Sequence, residues 1–200
     1  MIKNLIFDFG KVLIDYDYDV FLNSIIENSK DRAEFKAVFC SMEFTNLCDR
    51  GDMPFGDIIK EYQSLYPRWK NELQQFGDRQ LDAMTAEVPG MRALLNRLRA
   101  CGYHLYGLTN WSATVYPVIE KFDILQMMDG TVISSEEHMI KPDKAIYERL
   151  CEKFGLRMDE CLFTDDKQIN VDGALASGMN AVLFKNAAQY EDELKTRGLL

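Results

Sequence analysis

A carboxylate closes the first apolar run of this chain, in Leu5-Ile6-Phe7-Asp8-Phe9-Gly10, and that junction constrains the fold more than any other feature. A short run of β-branched and aromatic residues that does not alternate with polar ones reads as a strand buried on both faces, which requires helices above and below it. An ionisable group is costly to bury without a partner, and in open parallel sheets ligands collect in the crevice beyond the strands' carboxyl ends. Asp8 therefore either caps the next turn or belongs to a site at the edge of a parallel sheet.

The pattern downstream decides whether such a sheet exists. After Asp15 and the acidic, aromatic stretch Tyr16-Asp17-Tyr18-Asp19, some 65 residues carry apolar positions at helical spacing: Phe21, Leu22, Ile25 and Ile26, then Phe35, Val38 and Phe39, then Ile58, Ile59 and Tyr62, then Leu81 and Met84. Within them Cys48 to Pro54 breaks the period and reads as a loop, whose Arg50 either faces a ligand or is simply solvated. From Val88 onward helix and strand alternate. Helices are expected at 91–100, 112–122, 144–154 and 171–176, with strands at 103–108, 130–133, 161–164 and 181–184 and a C-terminal helix. The expected fold class is α/β: a Rossmann-like parallel sheet core, residues 1–15 with 86–200, interrupted by an α-helical insertion at 16–85.

Composition narrows the function. The chain has 200 residues, 47% of them hydrophobic, and a net charge of -9. With no basic stripe, a nucleic-acid partner is not expected. No apolar run approaches the roughly 20 residues that cross a bilayer, so a soluble cytoplasmic protein, a monomer or homodimer, is expected. Five cysteines without CxxC spacing, and only two histidines, argue against a disulfide framework, a zinc site or a Ser-His-Asp triad. His104, inside an expected strand, reads as a core histidine.

Polar residues fall at the ends of successive strands. Thr109-Asn110-Trp111 follows the second; the hydroxyl and amide either cap the next helix or hold an anion beside its amino end. Lys141 precedes Pro142 at a helix start; it is either simply solvated or, held beside an anion-binding crevice, placed to offset phosphoryl charge. Asp165-Asp166 follows Leu162-Phe163-Thr164. Adjacent carboxylates repel unless they share a cation: either one caps the next helix and the other is solvated, or with Asp8 they form a hard oxygen set suited to Mg²⁺.

Taken together and in order, Asp8, Thr109, Lys141 and Asp165-Asp166 resemble the four motifs of the haloacid dehalogenase superfamily, over essentially the whole chain. The helical segment after the first motif resembles that superfamily's C1 cap. The subgroup that contains α-D-glucose-1-phosphate phosphatase and the N-terminal phosphatase domain of soluble epoxide hydrolases is the most similar. The resemblance implies a Mg²⁺-dependent phosphatase acting on a small phosphate ester, such as a sugar phosphate. Asp8 would be the nucleophile. Asp8, the main-chain carbonyl of Gly10, Asp165 and Asp166 would serve the metal, while Thr109, Asn110 and Lys141 would hold the phosphoryl oxygens. Trp111, Arg50 and the Tyr16–Tyr18 stretch would line the substrate pocket.

Gly10 departs from the phosphatase pattern, which has an aspartate there to protonate the leaving oxygen. The subgroup just named resembles this chain in having glycine. Asp15, Asp17 or a residue of the insertion are the candidate replacements. Two other readings follow: a dehalogenase-type hydrolase, and a non-catalytic binding or regulatory protein that has lost the acid.

Overall fold

A computed structural model describes all residues from Met1 to Leu200. The chain opens with β1 (Asn4–Phe7) and β2 (Ile14–Tyr16), passes through five helices, and returns along β3 (Met84–Glu87). Those helices are α1 (Tyr18–Asn23), α2 (Ser29–Phe39), α3 (Met42–Arg50), α4 (Phe55–Leu65) and α5 (Lys70–Asp78). Alternation then resumes with α6 (Met91–Ala100), β4 (His104–Thr109), α7 (Val115–Lys121), β5 (Gly130–Ile133) and the short α8 (Ser134–Glu137). It ends with α9 (Lys144–Phe154), β6 (Cys161–Asp165), α10 (Gln168–Ala176), β7 (Asn180–Leu183) and α11 (Ala187–Thr196).

Five strands form one parallel sheet in the order β5-β4-β1-β6-β7. The apolar run that opened the sequence lies at its centre. Leu5 and Phe7 join the larger hydrophobic core on one face and Ile6 joins the smaller core on the other, each fully buried. Pairing on both sides aligns Phe7 with Gly107 and with Thr164, so Asp8, Thr109 and Asp165 emerge at one edge of the sheet. This register converts a list of strand-end residues into a site.

The helical segment leaves and re-enters through a two-stranded antiparallel ribbon, with Ile14 opposite Glu87 and Asp15 opposite Ala86. Its interior is aromatic: Phe35 sits with ring centroids 4.5 to 5.6 Å from Phe39, Trp69 and Phe76, and Phe44 lies 4.8 Å from Tyr62. Side-chain caps begin three of its helices, from Asp17, Asn28 and Ser41, each satisfying backbone N–H groups that a helix start leaves free.

Several expectations are corrected. The loop expected over Cys48–Pro54 begins only at Gly51; α3 runs through Arg50, because Phe44 and Cys48 are buried one turn apart on one face. Gly51 ends the helix at φ 72°, and a Cβ there would collide with the backbone of Ser135, so both conformation and space demand glycine. Leu81 lies in a 3₁₀ turn and Met84 opens β3 rather than continuing a helix. The helix expected from Ser112 starts at Val115, which puts Pro117 in its first turn, where no N–H is needed. His104 is not a core residue: it sits at the solvent end of β4, 64% exposed, 3.5 Å from Asp129. All five cysteines are free thiols, and no helix is long and apolar enough to cross a membrane.

Candidate active site

The carboxyl edge of the sheet gathers three acidic side chains around one ammonium. Lys141, 3% exposed, places Nζ 2.9 Å from Asp8 Oδ1 and 2.7 Å from Asp165 Oδ2, and also donates to the Leu108 carbonyl at 2.9 Å. Its position is fixed from the backbone. Asn110 Nδ2 donates to the Lys141 carbonyl at 3.0 Å, and the Lys141 N–H donates to Asn110 Oδ1 at 2.8 Å. The side-chain amide of Asn110, expected to face phosphate, is thus engaged in holding the lysine. The Lys141–Pro142 bond is cis.

Asp165 is fully buried and saturated: besides Lys141 it accepts from Asn170 Nδ2 at 3.0 and 3.1 Å and from the Lys167 N–H at 2.8 Å. Asp166 remains half-buried and faces the cleft. One carboxylate oxygen from each of Asp8, Asp165 and Asp166 lies within 4.8 Å of the others. Burial pushes the Asp8 carboxyl up to about 6 against the pull of Lys141, with Asp165 adding to the rise. Burial and the adjacent Asp165 also raise Asp166. Burial alone would lower the Lys141 ammonium, but Asp165 and Asp8 outweigh it and hold it above its ordinary value. Lys141 is paired with Asp8 and Asp165 only, which leaves Asp166 without an ion pair, and the hard oxygens of the three carboxylates fit a divalent ion such as Mg²⁺.

Thr109 supplies a second sign of a ligand. Its Oγ1 is buried without any hydrogen-bond partner, whereas buried hydroxyls in folded proteins are nearly always paired. Thr109, Asp8, Lys141 and Asp166 form the floor of a cleft of about 740 Å³. Gly10 lies on its wall beneath Tyr16, whose Cε1 would stand 3.2 Å from a Cβ at position 10. That ring therefore takes space next to a side chain at position 10.

The expected lining residues divide. Trp111, Tyr16 and Tyr18 line the cleft, and the Trp111 N–H is held by Ser134 Oγ at 2.9 Å. Arg50 does not line it; it is the last residue of α3, with Nε 4.0 Å from Asp52. Its neighbour Asp49 does, together with Thr45 and Asn46. These three share a face of α3 adjoining the one that buries Phe44 and Cys48, and their spacing of one, three and four residues is the signal in the sequence that marks it. Asn170 was not singled out as a partner of Asp165.

A parallel sheet with buried acidic and basic groups at its carboxyl edge, roofed by helices, defines an α/β fold of the hydrolase type. The chain belongs to the haloacid dehalogenase-like hydrolase family, whose model matches residues 5–184. It is 27% identical over 112 residues to flavin mononucleotide hydrolase 1 of Arabidopsis thaliana, covering 56% of this chain and 46% of that protein. D-ribitol-5-phosphate phosphatase of Bacteroides thetaiotaomicron is 23% identical over 212 residues, 97% of each chain. The chain spans about half the length of the curated relatives it matches first, 46%, 44% and 46%. A HAD family enzyme of Bacteroides thetaiotaomicron, solved with magnesium and inorganic phosphate, shares the fold with a TM-score of 0.73 at 21% identity, over 93% of this chain and 95% of that one.

Proposed function

We propose that this protein is a Mg²⁺-dependent phosphatase of a small phosphorylated metabolite, a sugar phosphate, working through an aspartyl-phosphate on Asp8. The observation that carries this reading is the cleft floor: one carboxylate, Asp8, bridged to a fixed ammonium, beside two further carboxylates and an unpartnered threonine hydroxyl. Phosphoryl transfer asks little bond-making of a protein beyond positioning and charge neutralisation. Phosphatases among the relatives, including one for a sugar-alcohol phosphate similar over the whole chain, support the substrate class.

Asp8, Asp166 and the Gly10 carbonyl would hold the ion, with Asp165 behind them. Bound there, Mg²⁺ supplies positive charge that screens the carboxylates from an incoming phosphate dianion and offsets charge on its oxygens. Asp8 attacks phosphorus and carries the phosphoryl group until water removes it. Lys141 Nζ and Thr109 Oγ1 donate to the phosphoryl oxygens, and Asn110 keeps Lys141 in place from its backbone side. Residues 16–85 act as a cap over the cleft, limiting water and selecting the alcohol portion of the ester.

The test is phosphate release from a panel of sugar phosphates and p-nitrophenyl phosphate, with Mg²⁺ or EDTA, for the natural protein and Asp8→Asn. Release that needs the metal and disappears in the variant supports the reading. Halide release from 2-haloacids with no phosphate release would replace it with a dehalogenase, and binding without turnover of either would replace it with a regulatory protein.

A further inference from the structure

A phosphatase of this kind needs a proton donor for its leaving oxygen, and position 10, where one is expected, is glycine. Four aspartates near the cleft are the alternatives, and the structure separates them. Asp15 is paired with the Lys11 ammonium, whose hydrogen bond holds its carboxyl below the ordinary range, and it also accepts the Tyr16 N–H at 2.9 Å. Asp17 caps α1, accepting from the Asp19 and Val20 N–H groups at 2.9 Å each. Asp19 is bonded through both oxygens to Lys36, at 2.6 and 2.8 Å, near the surface. Of the four, Asp49 alone lines the cleft with its carboxyl neither paired to a lysine or arginine nor used to cap a helix.

Asp49 is also held firmly to the core. Its main-chain carbonyl accepts Ser134 Oγ at 2.6 Å, the same hydroxyl that orients the Trp111 N–H, and Gly51 seats the end of α3 directly on the Ser135 backbone. An in-line displacement at phosphorus sends the leaving oxygen away from the nucleophile. Asp8 from the sheet and Asp49 from α3 line the same cleft.

We infer that Asp49, from the helical insertion, is the general acid and base of this site, taking the part that a side chain at position 10 would otherwise play; the inference rests on the phosphatase reading above. In the first half-reaction an Asp8 oxygen bonds to phosphorus, the ester P–O bond breaks, and its electron pair on the leaving oxygen takes the Asp49 proton. In the second, the Asp49 carboxylate removes a proton from water as the water oxygen bonds to phosphorus and the Asp8–phosphorus bond breaks. Phosphate leaves, and Asp49 ends protonated as it began. The environment suits both roles: burial pushes its carboxyl up to about 7, Lys167 and Lys141 pulling down and Asp8 pushing further up. Tyr16, Tyr18 and Cys48, which adjoin it, are themselves raised by burial and stay neutral there.

The experiment is single-turnover release of the alcohol from a hexose 6-phosphate and of p-nitrophenolate from p-nitrophenyl phosphate, comparing the natural protein with Asp49→Asn. An alkoxide needs the proton and p-nitrophenolate does not. The variant is expected to slow the sugar ester by ~10²- to 10⁴-fold and the nitrophenyl ester by less than about tenfold. Equal slowing of both esters, or of neither, overturns the inference. Should Asp49→Asn lose its circular dichroism, Asp49→Glu carries the same comparison, with ester-selective slowing expected and uniform slowing contradictory. A natural protein that releases neither ester fails the phosphatase reading itself, which distinguishes the two failures.

Discussion

The floor and the roof of the cleft solve opposite problems. In the floor, charges are buried and therefore paired: Lys141 and Asp165 are all but inaccessible, and their donors and acceptors are engaged. The Thr109 hydroxyl, which lines the cleft, is buried without a partner. In the roof, stability comes from an aromatic cluster that reaches the cleft only at Phe39 and Phe76, and polar residues line the cleft from a helix already held by the buried Phe44 and Cys48. Floor residues cannot change singly without leaving an unpaired buried charge, whereas roof residues can. A site built this way keeps one chemistry below while the insertion is free to differ above.

The sharpest way to break that contrast is Lys141→Met in metal-free buffer. Removing the ammonium leaves Asp8 and Asp165 buried without their counter-charge, and the expected loss is about 3–5 kcal/mol in urea unfolding. A loss below about 1 kcal/mol, the range of an exposed ion pair, would mean the floor is not the locked network described. Next in size is Gly51→Ala, which strains a left-handed residue and presses a methyl group on Ser135. Unfolding should show a loss of about 1–3 kcal/mol, with turnover falling because α3 carries Asp49.

The two regions are also separated by pH. Asp49 has a folded-state value near 7 against an ordinary 3.8, so between these the folded protein binds more protons than the unfolded one. Stability from this group is present in full below about pH 4 and is lost as pH rises toward 7. In EDTA, the stability of the natural protein relative to Asp49→Asn should therefore decline over that window and level off above it; a difference independent of pH would show that the carboxyl is not shielded. Smallest of all is Arg50→Ala. Since Arg50 points away from the cleft beside Asp52, both stability and KM should stay within about 0.5 kcal/mol and twofold of the natural protein.

The two regions also differ in how well they could be read in advance. Each floor residue ends an apolar strand or starts a helix, so position along the chain locates it, and parallel pairing then brings Asp8, Thr109, Lys141 and Asp165-Asp166 to one edge. What the pattern could not say is which partner each takes, and so it placed Asn110 on phosphate rather than on the Lys141 backbone. In the roof, Asp49, Arg50 and Asp52 are three charges within four residues, and the break at Gly51-Asp52-Met53-Pro54 obscured the helix end. Only the packing of Phe44 and Cys48 shows which of the three faces the cleft. The ribbon strands β2 and β3, three and four residues long, are too short for an alternation to stand out against the neighbouring helices.

The central claim is that Asp8 carries the phosphoryl group. The most direct measurement is acid quenching of the protein during turnover of p-nitrophenyl phosphate with Mg²⁺, followed by peptide mass spectrometry. A phosphoryl group on Asp8, absent without metal and absent in Asp8→Asn, is the expected result. Turnover with no modified peptide, or with the group on another residue such as Asp49 or Ser134, would contradict the account.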